Sequence, residues 1–114
     1  ILSKAAKKPN ARITLNSDPI EAVKDADVVN TDVWASMGQE AEQVDRKKIF
    51  ALFQVNNVLL ANASKDVIVL HCLPAHREEE ISEAVLEGPH SVVWDQSENK
   101  LHMHKAILDI LISK

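Results

Sequence analysis

The chain has 114 residues, enough for one domain and too few for two complete ones. Apolar residues make up 46% and charged residues 26%, with 2 glycines and 4 prolines, which excludes a disordered, collagen-like or low-complexity chain. The 17 acids against 13 Lys and Arg give a formal charge of −4, without the basic excess of a phosphate-backbone binder, and four aromatic residues make a poor platform for stacking bases.

Residues 1–8 read as a helix stopped by Pro9-Asn10, and the chain opens on Ile1 inside that pattern, as a processed or truncated product does. The lysines of this segment and Arg12 form a solvated helix end rather than a nucleic-acid arm. Residues 12–15 alternate and are β-branched, so a short strand is expected. Asp18 before Pro19 signals a helix start, with a helix over residues 20–26. Residues 27–34, DVVNTDVW, read as a buried strand running out into a polar loop around Ser36-Met37-Gly38. A charged helix-like stretch follows over residues 39–48, with apolar positions returning at Ile49, Phe50, Leu52 and Phe53.

Residues 58–64 give another helix, and Val67-Ile68-Val69-Leu70 is an apolar run of central-strand length ending in His71-Cys72-Leu73-Pro74. Residues 78–86 suit an amphipathic helix closed by Gly88-Pro89, residues 91–94 a strand, and residues 98–112 a helix with Leu101, Ile107, Leu108 and Leu111 along one face. The alternation predicts the α/β class: a three-layer αβα, Rossmann-like parallel sheet with right-handed crossovers. Ligands of such sheets gather beyond the carboxyl ends of the strands, where residues 32–38 and 71–77 both fall.

Asp32 at a strand end suits an ammonium group, while the Ser36 hydroxyl and loop amides suit a carboxylate; together they fit a zwitterionic amino acid. The same residues also fit simple helix capping. Cys72 reads either as a nucleophile or proton acceptor, if Arg77 or His76 lowers its pKa, or as a small buried hydrophobe. His71, Cys72 and His76 match no strong zinc spacing, and no Gly-rich phosphate loop is present. A lone cysteine cannot form an internal disulfide and suits a reducing compartment. No apolar run approaches the ~20 residues of a membrane span, and no signal-peptide pattern opens the chain. A cytoplasmic protein without membrane or nucleic-acid partners is the expectation.

Four segments, TDVWASMGQE (31–40), FQVN (53–56), HCLPAHR (71–77) and VVWDQSENKLHMHKAIL (92–108), closely resemble the C-terminal half of the ornithine carbamoyltransferases, in the same order and across essentially the whole chain. The resemblance implies transfer of a carbamoyl group from carbamoyl phosphate to the δ-amino group of L-ornithine, with no metal or organic cofactor. It implies that Asp32, Ser36 and Met37 bind the amino-acid end of ornithine, the SMG loop favouring ornithine over aspartate. Cys72 is implied to lie beside the reacting centre as proton acceptor and, with Leu73, to help bind carbamoyl phosphate, and the Leu73-Pro74 bond is implied to be cis.

Two positions depart from the family pattern. Lys100 replaces an arginine that contacts carbamoyl phosphate, losing the planar fork while keeping the charge. Glu78 stands where a glycine is common, adding negative charge near an anionic substrate. The resemblance also implies that residues 1–114 are an incomplete ornithine-binding domain, without the domain carrying the phosphate-binding loop and without a first strand-helix-strand unit. The chain alone is then expected to be inactive or severely impaired, and the family's trimers or larger assemblies are not assured for it. The competing readings are a non-catalytic small-molecule-binding or assembly module of the same fold and a cysteine-based redox or hydrolytic protein.

Overall fold

A computed structural model describes residues 12–35, 38 and 42–113. The helix expected over residues 1–8, and the loop residues Ser36 and Met37, lie outside that set. Helix α1 (Pro19–Val23) starts where the sequence predicts: Asp18 Oδ1 accepts the Ile20 N–H at 2.9 Å, and Pro19 fills a first-turn position that needs no N–H. The chain then enters β1 (Val28–Thr31), whose parallel partner is β2 (Ile68–His71). The register runs from Val28 opposite Ile68 to Thr31 opposite His71. A parallel bridge between Val69 and Ser91 flanks the other edge of β2, so the VIVL run supplies the inner strand.

Strand alternation sends Val67, Val69 and His71 to one face, and all three are buried. Val29 joins them from β1. Val55, Leu59 and Leu60, the last two on α3 (Asn57–Leu60), complete the core with Ile81, with Val85 and Leu86 of α4 (Glu83–Leu86), and with Val93. The registered pair Val28 and Ile68 points to the opposite face, where the two are 50% and 38% exposed, so burial of this sheet is one-sided among the described residues.

Several expected elements come out shorter or shifted. Residues 12–15 form no strand; they are exposed, with no ladder beside them among the described residues. The helix expected over residues 78–86 is only α4, because Glu78 takes a left-handed φ of 63° and residues 80–82 pair with Val55 instead. That pairing uses the Val55 N–H to the Glu80 carbonyl at 2.8 Å and the Ser82 N–H to the Val55 carbonyl at 3.0 Å. The strand expected over residues 91–94 is a single bridge residue. The Val92 N–H bonds the Val69 carbonyl, and α5 (Val93–Ile112) begins at once.

Helix α2 (Gln43–Phe50) continues as a 3-10 turn at Ala51–Phe53. Its Arg46 donates to the Trp34 carbonyl at 3.1 Å, and Trp34, Phe50 and Phe53 pack with successive ring centroids 6.2 Å apart. These contacts tether the chain leaving β1. The apolar face of α5 exists as predicted, but Leu101, Ile107, Leu108 and Leu111 are all exposed. No described helix is long and apolar enough to cross a membrane.

Candidate functional site

Because Thr31 and His71 are the last registered pair, the residues that follow them leave the sheet side by side. Cys72 Sγ donates to Asp32 Oδ1 at 2.9 Å, and the Val33 N–H bonds the same oxygen at 2.8 Å. From α5, Gln96 Oε1 accepts the His71 N–H at 3.0 Å. One turn later, Lys100 Nζ donates to the Cys72 carbonyl at 2.5 Å. Asp32 is exposed, and Cys72 and Leu73 are half-buried, so the cluster opens to solvent. The Leu73-Pro74 bond is cis, as the resemblance implies, and Leu73 itself has a φ of 52°.

The two titrating groups are pushed apart. Asp32 lies below the usual carboxylate range, first because it accepts the Cys72 thiol and next because it accepts the Val33 N–H. The Cys72 thiol is pushed up by donating to Asp32, then by burial and by the charge of Asp32; Lys100 opposes the rise without reversing it. The expectation that Arg77 or His76 lowers this thiol is therefore corrected. Arg77 is turned to Glu87 at 2.6 Å and Glu83 at 3.6 Å, and His76 Nδ1 faces Glu80 at 3.8 Å.

Asp32, Cys72, Leu73 and Lys100 thus come together at one strand-end cluster, while the Ser36 and Met37 assignments fall outside the described residues. Glu78 behaves differently from its expected role. Its carboxylate accepts the Glu83 N–H at 2.8 Å at the start of α4, and its left-handed backbone explains why glycine suits the position. Sequence reasoning missed Gln96, hidden by placing the start of α5 five residues late, and Glu80, the fully buried member of an acidic run that reads as solvated. It also missed the work of the FQVN segment. Gln54 donates to the Glu79 carbonyl at 3.0 Å, and Asn56 Oδ1 caps α3 through the Leu59 N–H at 3.0 Å.

A cleft of about 340 Å³ adjoins Asp32 and is lined also by Thr31, Trp34, Phe53 and Val55. A larger one, about 600 Å³, lies between the α1 start and α3, away from Asp32 and Cys72, and is mostly apolar. Only the smaller adjoins the chemistry. Among the described residues, two sets of donor atoms lie within 4.8 Å of one another: Asp32, His71 and Cys72, and His76, Glu79 and Glu80. In the first, both His71 nitrogens are already engaged, by Glu80 and by the Leu73 N–H. In the second, Glu79 is paired with Lys47 at 2.6 Å. The first set must therefore break an existing contact before it holds a metal ion, whereas in the second Glu80 Oε2 has no hydrogen-bond partner.

Residues 1–111 match the family model described as aspartate/ornithine carbamoyltransferase, Asp/Orn binding domain. The chain belongs to that family. Among curated relatives, ornithine carbamoyltransferase of Syntrophus aciditrophicus is 60% identical over 112 residues, covering 98% of this chain and 37% of the relative. The enzyme of Pyrococcus horikoshii is 54% identical over 107 residues, covering 94% and 34%. Among solved structures, ornithine carbamoyltransferase from Pyrococcus furiosus superposes with a TM-score of 0.75 at 61% identity, over 81% of this chain and 29% of that one. The anabolic enzyme of Campylobacter jejuni gives 0.79 at 42% identity, over 86% and 32%. The fold is accordingly the α/β, Rossmann-like fold of those enzymes. The chain spans about a third of the length of the curated relatives it matches.

Proposed function

We propose that residues 1–114 are the amino-acid-binding part of an ornithine carbamoyltransferase, acting in a reducing, cytoplasmic compartment on L-ornithine and carbamoyl phosphate to give citrulline and phosphate. The observation that carries this reading is the Asp32–Cys72 pair at the ends of two parallel strands, with Lys100 directly behind it. Only Oδ1 of Asp32 receives the two hydrogen bonds described above, and the carboxylate is exposed, so an α-ammonium group has an oxygen to approach. Ser36 and Met37 follow in the same loop and are assigned to the α-carboxylate end.

In the reaction the neutral δ-amine attacks the carbamoyl carbon, the carbon–oxygen bond to phosphate breaks, and the proton the amine loses passes to the departing phosphate or to Cys72 in its thiolate form. Without substrate Cys72 is a donor, not a base, because Asp32 holds its thiol protonated. An ammonium group on Asp32 offsets the charge of that carboxylate and weakens it as an acceptor, easing two of the causes of the raised thiol pKa. Proton acceptance by Cys72 thus becomes coupled to the presence of the amino acid. Leu73 and Lys100 are assigned to carbamoyl phosphate. Lys100 donates to the Cys72 carbonyl and has further N–H donors for the anion, which it meets as a point charge without the bidentate grip of arginine. Geometry rather than a covalent intermediate carries the catalysis.

The isolated chain is expected to lack turnover, since the carbamoyl phosphate domain supplies half of the proposed site. Calorimetry with L-ornithine on the chain and its Asp32→Ala variant tests the assignment. Binding lost in the variant supports it, and equal binding by both overturns it. A citrulline assay of residues 1–114 with the carbamoyl phosphate domain of a relative added in trans then separates an enzyme part, which shows turnover, from a non-catalytic module, which does not.

A further inference from the structure

We propose that Glu80, acting through His71, is the positioning residue that sets the Cys72–Leu73 segment, by locking His71 in the Nε2–H tautomer. The inference deepens the functional reading above, since the segment it positions is the one assigned to the thiol and to carbamoyl phosphate.

His71 Nδ1 lies 2.9 Å from the Leu73 backbone nitrogen, whose hydrogen it accepts. A nitrogen that accepts carries no proton, so in the neutral ring the proton sits on Nε2, which faces Glu80 Oε1 at 3.0 Å. A carboxylate can only accept there, so it enforces the tautomer that leaves Nδ1 free for Leu73. The same Oε1 accepts the His76 N–H at 2.6 Å. One oxygen therefore closes the turn from both ends, at His71 and at His76.

The contacts are dry: the side chains of both His71 and Glu80 are 0% exposed. Hydrogen bonds in such surroundings are strong when made and costly to lose. The turn needs holding, because Leu73 has a φ of 52°, a left-handed conformation that costs roughly 1–2 kcal/mol for a residue with a side chain. Val55 fixes Glu80 in turn, through its N–H to the Glu80 carbonyl at 2.8 Å. The chain of causes thus runs from the FQVN segment through Glu80 and His71 to Leu73, and so to where Cys72 meets Asp32.

Cys72 is the sole cysteine, so its alkylation rate reports on this segment alone. Long-range 1H–15N spectra of the unaltered chain should show His71 as the neutral Nε2–H tautomer; an Nδ1–H pattern overturns the proposal without any variant being made. Glu80→Gln keeps an acceptor oxygen, whereas Glu80→Met keeps the volume and loses it. For the Met variant the expectation is a mixed His71 tautomer and alkylation of Cys72 faster by about fivefold or more; the Gln variant should stay within about twofold of the parent. A folded Met variant with unchanged tautomer and rate sinks the proposal, as does a Gln variant as disturbed as the Met variant. None of these measurements uses ornithine or carbamoyl phosphate, so failure here leaves the functional reading standing, and failure of ornithine binding leaves the positioning role standing.

Discussion

The two loops that leave the paired strands bring their functional side chains together by opposite means. The loop after β1 presents an exposed Asp32 and is tethered from its outer side, by Arg46 on the Trp34 carbonyl and by the packed rings of Trp34, Phe50 and Phe53. The loop after β2 is tethered from within: His71, the strand residue that leads into it, and the Glu80 that closes it are fully buried, over a core of Ile81, Val85 and Leu86. A surface tether leaves a carboxylate free to take a ligand, whereas a buried one fixes backbone direction. The site needs both where Asp32 meets Cys72.

Changes under the second loop should therefore cost stability while changes at the tip of the first should cost little. The largest effect is expected for Leu86→Ala, which removes a side chain only 1% exposed and should destabilise by about 2–5 kcal/mol in urea melts. Gly88→Ala comes next. Its new Cβ would sit 2.5 Å from the Ala84 carbonyl at the end of α4, and a loss of roughly 1–3 kcal/mol is expected by the same measurement.

Glu78 sharpens the comparison at a finer scale. Glu78→Ala loses the bond to the Glu83 N–H yet keeps the left-handed backbone, for a loss of about 1 kcal/mol. Glu78→Gly loses the same bond and relieves the backbone, and should fall within about 0.5 kcal/mol of the parent in thermal melts.

The stability effect at Asp32 is also expected to be small, within about 1 kcal/mol for Asp32→Ala, but it comes with a reactivity signature. Removing the carboxylate lets the thiol pKa fall from above its ordinary 9.0, so alkylation of Cys72 at pH 8 should quicken roughly two- to fivefold. A rate unchanged by the substitution would break the link between the two loops. The linkage signs agree. The lowered Asp32 contributes stability above its ordinary 3.8 and loses it as pH falls through the still lower folded value. The raised Cys72 contributes below 9.0 and loses it as pH rises through its folded value. The pair therefore supports the fold between those limits and should be worth least at both extremes.

The sequence determined the α/β class, the inner position of the VIVL strand, the Asp18 helix start, the Gly88-Pro89 stop and the two strand-end segments that carry the candidate site. All of these are local: alternation, capping chemistry and turn residues act over a few positions and can be read one segment at a time. The tertiary structure alone decided that Cys72 donates to Asp32 and is pushed up rather than down, since His76 and Arg77 near it in sequence turn to Glu80, Glu83 and Glu87 while Lys100 reaches it across 28 positions of chain. It alone decided that the third of three consecutive glutamates is buried against a histidine. Three like side chains in a row carry no sign of which one the backbone turns inward, and that choice is made by Val55, which pairs with residues 80–82 from a different part of the chain.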